Sequence, residues 1–382
     1  MIIFLSVIPI ILVLGYSFIL IILNRGLSQL RRGKSTQNYQ VSIIIAARNE
    51  EQNIGSCLHA LVNQSYPADR FEIIVVDDRS IDDTQRIVQS YCRQFANIRL
   101  IQVTELTEGI SPKKNALQTG IESASGQIIL TTDADCIPAP GWITAMVSYF
   151  EPDVGLVAGF SPLEPIENGN FFQRLFTLDS LSLAAVAASS FGLGKPLTCN
   201  GRNLAYRRET FEAVAGFKQI YKFISGDDDL FLHLVRRQTS WKFRYAMDRQ
   251  SLVHSKAPET FKQFMNQRVR HASKGRHYPA WFTIVLAAIY LLNLNLLLLI
   301  PISFFNNFAF VALLGCVLLK SLGEFILIYR IADLFGYKKI LATFPLAMIL
   351  HPFYVVIFGL WGQFGKFHWK DETFTAIHEG TR

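Results

Sequence analysis

The chain has 382 residues, half of them hydrophobic, and a formal net charge of +7. Its mean hydropathy of +0.25 is high for a soluble protein and its apolar residues are concentrated toward the two ends, which excludes a uniformly soluble globular chain. The five cysteines, Cys57, Cys92, Cys136, Cys199 and Cys316, are odd in number and form no CxxC pair. That spacing argues against a structural zinc site and a disulfide framework, and suits reduced thiols in a cytosolic domain.

Residues 1–24 carry no charge, and neither do residues 281–319; residues 340–365 hold His351 as their one side chain titrating near neutral pH. A bilayer core of ~30 Å takes about 20 apolar residues in a helix, a length each stretch meets. The first stretch lacks a basic n-region and is long for a signal peptide, so it reads as an uncleaved anchor. Arg25, Arg31, Arg32 and Lys34 follow it. Positive charge beside a span marks the cytosolic side and can rest on anionic lipid, so the net charge needs no nucleic-acid partner. The chain thus divides into a transmembrane helix at 1–24, a basic juxtamembrane linker at 25–40, a cytosolic domain at 41–280, a membrane domain of about three helices at 281–365 and a tail at 366–382.

Within the soluble part, strands alternate with helices. Residues 41–46, VSIIIA, predict a strand, and Asn49 with Gln52 at the third helical position resembles a capped helix start. Ile54, Cys57, Leu58, Leu61 and Val62 then recur at helical spacing. Further strands are predicted at 73–76, 98–103 and 127–132, and further helices after Ser80 and Asp83 and at 113–123. Such alternation implies a mostly parallel sheet whose ligands bind beyond the carboxyl ends of the strands. Residues 171–193 read as a helix on the membrane surface or under the domain.

Three acidic groups stand where such a sheet binds ligands. Asp77 and Asp78 follow one strand; Asp133 and Asp135 follow another, spaced i and i+2 so that an extended chain would point both the same way. Carboxylate oxygens in that pattern suit Mg2+ or Mn2+, with diphosphate oxygens completing the shell. Asp227, Asp228 and Asp229 precede a helical pattern, where acidic residues either cap the helix or supply a general base.

The order of these motifs resembles membrane-bound, polysaccharide-synthase-like family 2 glycosyltransferases. The residues that carry the likeness are ARNEE at 47–51, Asp77–Asp78, the KxxAL element at 113–117, DAD at 133–135, GRN at 201–203, the acidic run at 227–229 and QRVRH at 267–271. The resemblance implies a GT-A nucleotide-diphospho-sugar transferase fold flanked by transmembrane helices, and an inverting single displacement from a nucleotide-diphosphate sugar, with UDP-sugars favoured. It implies donor contacts from Ala47, Asn49, Glu50, Asp77, Asp78, Lys113, Asp133, Gly201 and Arg202. It implies a divalent metal on Asp135 and Asp133, and a base at Asp227 or Asp228, with Asp227 favoured by the motif's register. Acceptor or diphosphate contacts fall to Gln267, Arg270 and His271. The acceptor would be lipid-linked or a glycan, with membrane lipids as further partners, in cell-envelope polysaccharide synthesis at the inner membrane.

One departure is informative. Processive relatives carry QxxRW, whereas His271 stands at the tryptophan position, and imidazole offers less stacking surface than indole. Single transfer is therefore plausible. Lys274 and Arg276 nearby either bind phosphates or flank the span that follows. Lys320 and Glu324 predict an intrahelical ion pair near the membrane boundary. Four spans are expected, with an uncharged external loop at 303–307 and a re-entrant alternative for the last span because of Pro345 and Pro352. A nucleotidyltransferase and a catalytically silent assembly protein of the same fold are the alternative readings.

Overall fold

The computed structural model describes residues 2–105, 109–164, 171–223, 225–273, 280–364, 366–369 and 372–375. In chain order the principal elements are α1 (Ile2–Ser28), β1 (Val41–Ala47), α2 (Ile54–Val62), β2 (Phe71–Asp78), α3 (Thr84–Gln94), β3 (Ile98–Val103), α4 (Pro112–Ser123), β4 (Ile128–Thr131), β5 (Cys136–Pro138), α5 (Trp142–Val147), β6 (Val154–Ala158), β7 (Leu163–Glu164) and α6 (Phe171–Gly192). They continue with β8 (Leu204–Arg207), α7 (Arg208–Ala213), α8 (Asp229–Gln238), β9 (Lys242–Tyr245), β10 (Val253–Lys256), α9 (Phe261–Ser273), α10 (Ala280–Ser303), α11 (Asn307–Phe335) and α12 (Phe344–Phe364). Packing separates two compact units, one comprising Met1–Arg25, Phe171–Ala185 and Pro258–Thr381, the other Gly26–Asn170 and Val186–Ala257.

The second unit is built on a seven-stranded sheet of order β3-β2-β1-β4-β8-β6-β9. β3, β2, β1 and β4 are mutually parallel, β8 runs antiparallel to β4 and β6, and β9 is parallel to β6. The central strands are covered on both faces: Ile43, Ile44, Ile45, Ile73, Ile74, Val75 and Val76 are all fully buried. Near-continuous Ile/Val runs are what a parallel sheet buried on both sides selects. Gly120 lets α4 lie close on this sheet, since a Cβ there would come within 2.6 Å of Ile44 Cγ2 and 2.9 Å of Val76 Cγ2. A smaller sheet, β5-β10-β7, stands beside it in the same unit.

Two helix starts differ from expectation. Asn49 does not cap α2; the helix begins at Ile54 after Asn53, and Asn49 adopts φ 52°. Its carboxamide oxygen instead accepts from Ile81 N (3.0 Å), and its N–H donates to Ser80 Oγ (2.9 Å). Likewise Ser80 starts no helix, and Asp83 precedes α3 without a side-chain capping bond; Asp82 accepts from Thr84 N (3.0 Å) in its place. The loops after β1 and β2 cap each other: Glu50 N donates to Thr84 Oγ1, Glu51 N to Asp82, and Asp83 N to Glu51. A local spacing rule cannot anticipate caps exchanged between two loops.

In the first unit, α1, α10, α11 and α12 are long and apolar, as predicted. α6 also has the length and hydropathy to cross a membrane, which makes five such helices among the described residues rather than four. Burial sets it apart, with 67% of its most apolar window buried against 11–33% for the others. α12 continues through Pro352 without a break.

Lys320 and Glu324 pair at 2.9 Å, but neither at the edge of α11 nor alone. They lie midway along a 29-residue helix, about 17–20 Å from its ends. Tyr16 donates to Glu324 (2.8 Å), and Lys320 donates to His351 Nδ1 (2.9 Å), so α1, α11 and α12 share one polar cluster. Lower dielectric strengthens such bonds and penalises any member left unpaired, which registers the three helices. α9 packs in the same unit through Phe264 stacked on Phe176 (4.1 Å) and through Arg268 paired with Asp179.

Candidate active site

The chemistry-bearing residues of the second unit stand at the carboxyl ends of β1, β2 and β4 and on the loop before α8. β2 extends through Asp77 and Asp78, which are buried at 3% and 5% exposure. Asp78 is gripped by Arg79 (2.8 and 3.2 Å), and Asp77 accepts from Ser80 N (3.3 Å). Arg79 takes φ 58°, a left-handed turn that brings its guanidinium back onto its own neighbour. Ala47 ends β1 fully covered, and Glu50 accepts from Asn53 Nδ2 (2.9 Å).

Asp133 and Asp135 are not aimed by strand alternation. β4 ends at Thr131, and Asp133 to Cys136 form a turn closed by Cys136 N on Asp133 O (3.2 Å). The two carboxylates nonetheless feel each other. Burial, and then Asp133, push the Asp135 carboxyl above the usual carboxylate range, with Arg202 partly opposing them. The Asp135 carboxylate meets the weak Cys136 thiol donor at 3.4 Å. Cys57 approaches Asp133 O from below (3.8 Å), and its thiol is likewise pushed up by burial and these acids.

Lys113 joins the two halves of the site. Its Nζ lies 2.8 Å from Asp133 Oδ1 and 3.1 Å from Asp227 Oδ2. Burial alone would lower the pKa of this ammonium; Asp133 and Asp227 reverse that and hold it above the ordinary lysine range. The three aspartates after Gly226 have separate partners. Asp227 faces Lys113. Asp228 is the N-cap of α8, accepting from Asp229 N (2.7 Å) and Gly201 N (3.3 Å). Asp229, 5% exposed, accepts from Thr198 Oγ1 and Cys199 N, both at 2.8 Å.

The GRN turn sits against this loop. A Cβ on Gly201 would meet Asp227 Oδ2 at 3.0 Å, and the Gly201 carbonyl accepts from Thr131 Oγ1 (3.0 Å). Arg202 donates to Ser255 Oγ (2.8 Å) and Asn200 Oδ1 (3.3 Å). Asn203 is fully buried and satisfied by Trp142 Nε1, Phe160 O and Ser251 O, pinning the turn to three segments. Sequence reasoning named the turn but not this hub, nor the fully buried Lys114, whose only signal was its place beside Lys113.

Gln267 lies on α9, in the other unit, and its buried Oε1 meets no hydrogen-bond donor among the described residues. The side chains of Arg270 and His271, and all of Lys274 and Arg276, fall outside the described residues.

A hard divalent cation fits what is present at the turn. The donors are carboxylate oxygens, and Asp135 is an acid beside another acid, with the weak Cys136 thiol as its neighbour among the described residues, an arrangement that a cation would relieve. No cluster of three or more metal-binding side chains occurs among the described residues, so further ligands would come from the substrate.

Comparison with known proteins agrees with the motifs. The pattern of Glycosyl transferase family 2 matches residues 42–215. Glycosyltransferase AglE of Haloferax volcanii is 30% identical over 200 residues, covering 52% of this chain and 61% of the relative. The probable glycosyltransferase YdaM of Bacillus subtilis is 29% identical over 243 residues, covering 63% and 56%. This chain therefore matches only 56–61% of the length of those relatives. The mannosyltransferase PcManGT of Pyrobaculum calidifontis, solved with GDP-Man and Mn2+, superposes with a TM-score of 0.57 at 21% identity, over 94% of this chain and 99% of that one, a likeness of fold. Residues 42–215 thus carry the pattern of Glycosyl transferase family 2, and the fold resembles that of a solved GT-A-like mannosyltransferase.

Proposed function

We propose that this protein is a membrane-held inverting glycosyltransferase that moves one sugar from a nucleotide-diphosphate donor to a lipid-linked or glycan acceptor. The observation that carries this reading is Lys113 held between Asp133, at the donor side, and Asp227, on the loop before α8. One cation thereby spans the distance between the leaving diphosphate and the acceptor's proton. Asp77, Asp78 and the mutually capped loops at Asn49 and Glu50 form the nucleoside side; Gly201 and Arg202 line the turn between donor and base.

Asp227 is the base in this reading. The oxygens of Asp228 accept from two backbone N–H groups, and Asp229 is occupied by Thr198 and Cys199, whereas Asp227 faces a movable ammonium. The acceptor hydroxyl gives its proton to Asp227 as its oxygen bonds the anomeric carbon, and the bond from that carbon to the diphosphate oxygen breaks on the opposite face. Lys113 exchanges a carboxylate for the diphosphate and stabilises its growing charge. Asp135, with Asp133, would hold Mg2+ or Mn2+, which when bound supplies further charge stabilisation to the leaving group.

UDP-sugars are the favoured donors on the motif resemblance; the GDP-Man in PcManGT makes GDP-mannose the second donor to test. The histidine at position 271 favours a single transfer over processive synthesis. The five apolar helices and the basic residues after the first support a multi-pass protein of the inner membrane with this domain in the cytosol. Incubating native membranes with radiolabelled UDP-glucose, UDP-N-acetylglucosamine and GDP-mannose, followed by product analysis, tests the reading. Transfer of label to an extractable lipid or glycan supports it; release of the label as sugar 1-phosphate with transfer of the nucleotidyl group would replace it.

A further inference from the structure

α4 opens with two adjacent lysines that turn to different partners. Lys113 meets carboxylates. Lys114 is 0% exposed, and its Nζ donates to the backbone carbonyls of Phe223 and Ser225, the latter at 2.8 Å. These carbonyls belong to residues just ahead of Gly226 and Asp227. At the same turn of α4, Ser111 N donates to Tyr221 O (2.9 Å). The first turn of one helix therefore grips the segment from Tyr221 to Asp227 at four points: Tyr221 O, Phe223 O, Ser225 O and the Asp227 carboxylate.

An ammonium taken out of water is costly unless its N–H groups find acceptors, and an apolar side chain would fill the same space without that cost. The charge at position 114 thus has a use beyond packing. The described residues of the segment it holds, between residue 220 and α8, lie in no helix or strand that would set their register; Gly226 takes φ 94°, where a Cβ would come within 2.5 Å of Leu230 Cγ. The height of Asp227 above the site is fixed by the carbonyls upstream of it.

We propose that Lys114 is a positioning residue for the catalytic base: its buried ammonium holds the carbonyls of Phe223 and Ser225 and so keeps Asp227 at the acceptor side when Lys113 turns to the diphosphate. The proposal rests on the reading of Asp227 as the base.

The test uses the full chain in detergent, comparing Lys114→Met and Lys114→Gln with wild type. Three quantities are measured: amide hydrogen exchange, UDP affinity with Mn2+, and turnover with whichever radiolabelled nucleotide sugar the membrane incubation shows to be used. In Lys114→Met, amides of residues 221–230 should exchange about tenfold or more faster while those of β1, β2 and β4 do not change. Turnover should fall about 10²-fold, with UDP affinity and donor KM within about threefold of wild type. Lys114→Gln, which keeps one donor group, should fall between. Unchanged exchange at 221–230, or turnover of Lys114→Met within threefold of wild type, overturns the proposal. Faster exchange throughout the domain in both variants also overturns it, because Lys114 would then be a general folding element. Asp227→Asn separates the two levels. If it keeps wild-type turnover, the base reading has failed; if it is inactive while Lys114→Met is active, only the positioning role has failed.

Discussion

Replacing Asp227 with asparagine removes a charge and a proton acceptor while leaving the side chain's shape. The structure sets the scale of both effects. Asp227 is 12% exposed and pairs with Lys113 at 3.1 Å, but Lys113 keeps its shorter bond to Asp133 at 2.8 Å. Breaking a buried pair costs most when it strands a charge. Here the stranded cation retains a partner, so the loss is that of one charge-assisted bond, about 1.5–3 kcal/mol at most. For a domain of this size that is a fall of roughly 3–12 °C in Tm, leaving the protein folded. Loss of the base, in contrast, should lower turnover by ~10² to 10⁴-fold with donor affinity nearly unchanged. The controls are its neighbours. Asp229→Ala removes the acceptor for Thr198 Oγ1 and Cys199 N, a stability cost of about 2–4 kcal/mol with no direct chemical loss. Asp228→Ala removes a helix cap, at about 1 kcal/mol. Turnover, UDP affinity and Tm for the three variants decide the matter. Turnover of Asp227→Asn within a few-fold of wild type would refute the reasoning, and an Asp228 variant with the same stability but lost turnover would move the base there.

Asp135→Ala should abolish transfer and weaken UDP binding in Mn2+ without lowering Tm appreciably; activity that persists in excess chelator would count against the metal. A cysteine introduced at Phe305, 92% exposed between α10 and α11, should be labelled from outside intact cells, while one at Arg93 in the family domain should be protected. Reversed labelling would separate the domain from cytosolic nucleotide sugars. Glu72 gives a pH test: burial alone would raise its pKa, but hydrogen bonds from Ser125, Ser42 and Arg99 hold it down to about 2 from 4.5. A depressed carboxyl contributes stability above its unfolded pKa and loses it as pH falls through the folded one. Between pH 4.5 and 2, wild type should therefore lose stability more steeply than Glu72→Gln, and parallel acid-unfolding curves would contradict the assignment.

The sequence by itself determined the sheet's character and the candidate residues. Ile/Val runs at 43–45 and 73–76 can be satisfied only by burial on both faces, and apolar stretches of bilayer length need no tertiary context to be recognised. The acidic strand ends were legible because an α/β series fixes where its loops gather. Which partner each acid takes was not legible. Asn49 is a residue type that caps helices, yet it serves the next loop instead, donating its N–H to Ser80 Oγ and accepting from Ile81 N on its carboxamide oxygen. The roles within Asp227–Asp228–Asp229 are divided by Lys113, Gly201 and Cys199, all from distant segments of the chain. Lys320 and Glu324 looked like a pair closed within one helix until Tyr16 and His351 joined them. Periodicity and length are properties of neighbours along the chain. The partner of a buried charge is chosen by desolvation, which counts every segment that reaches it, and only the tertiary structure brings those segments together.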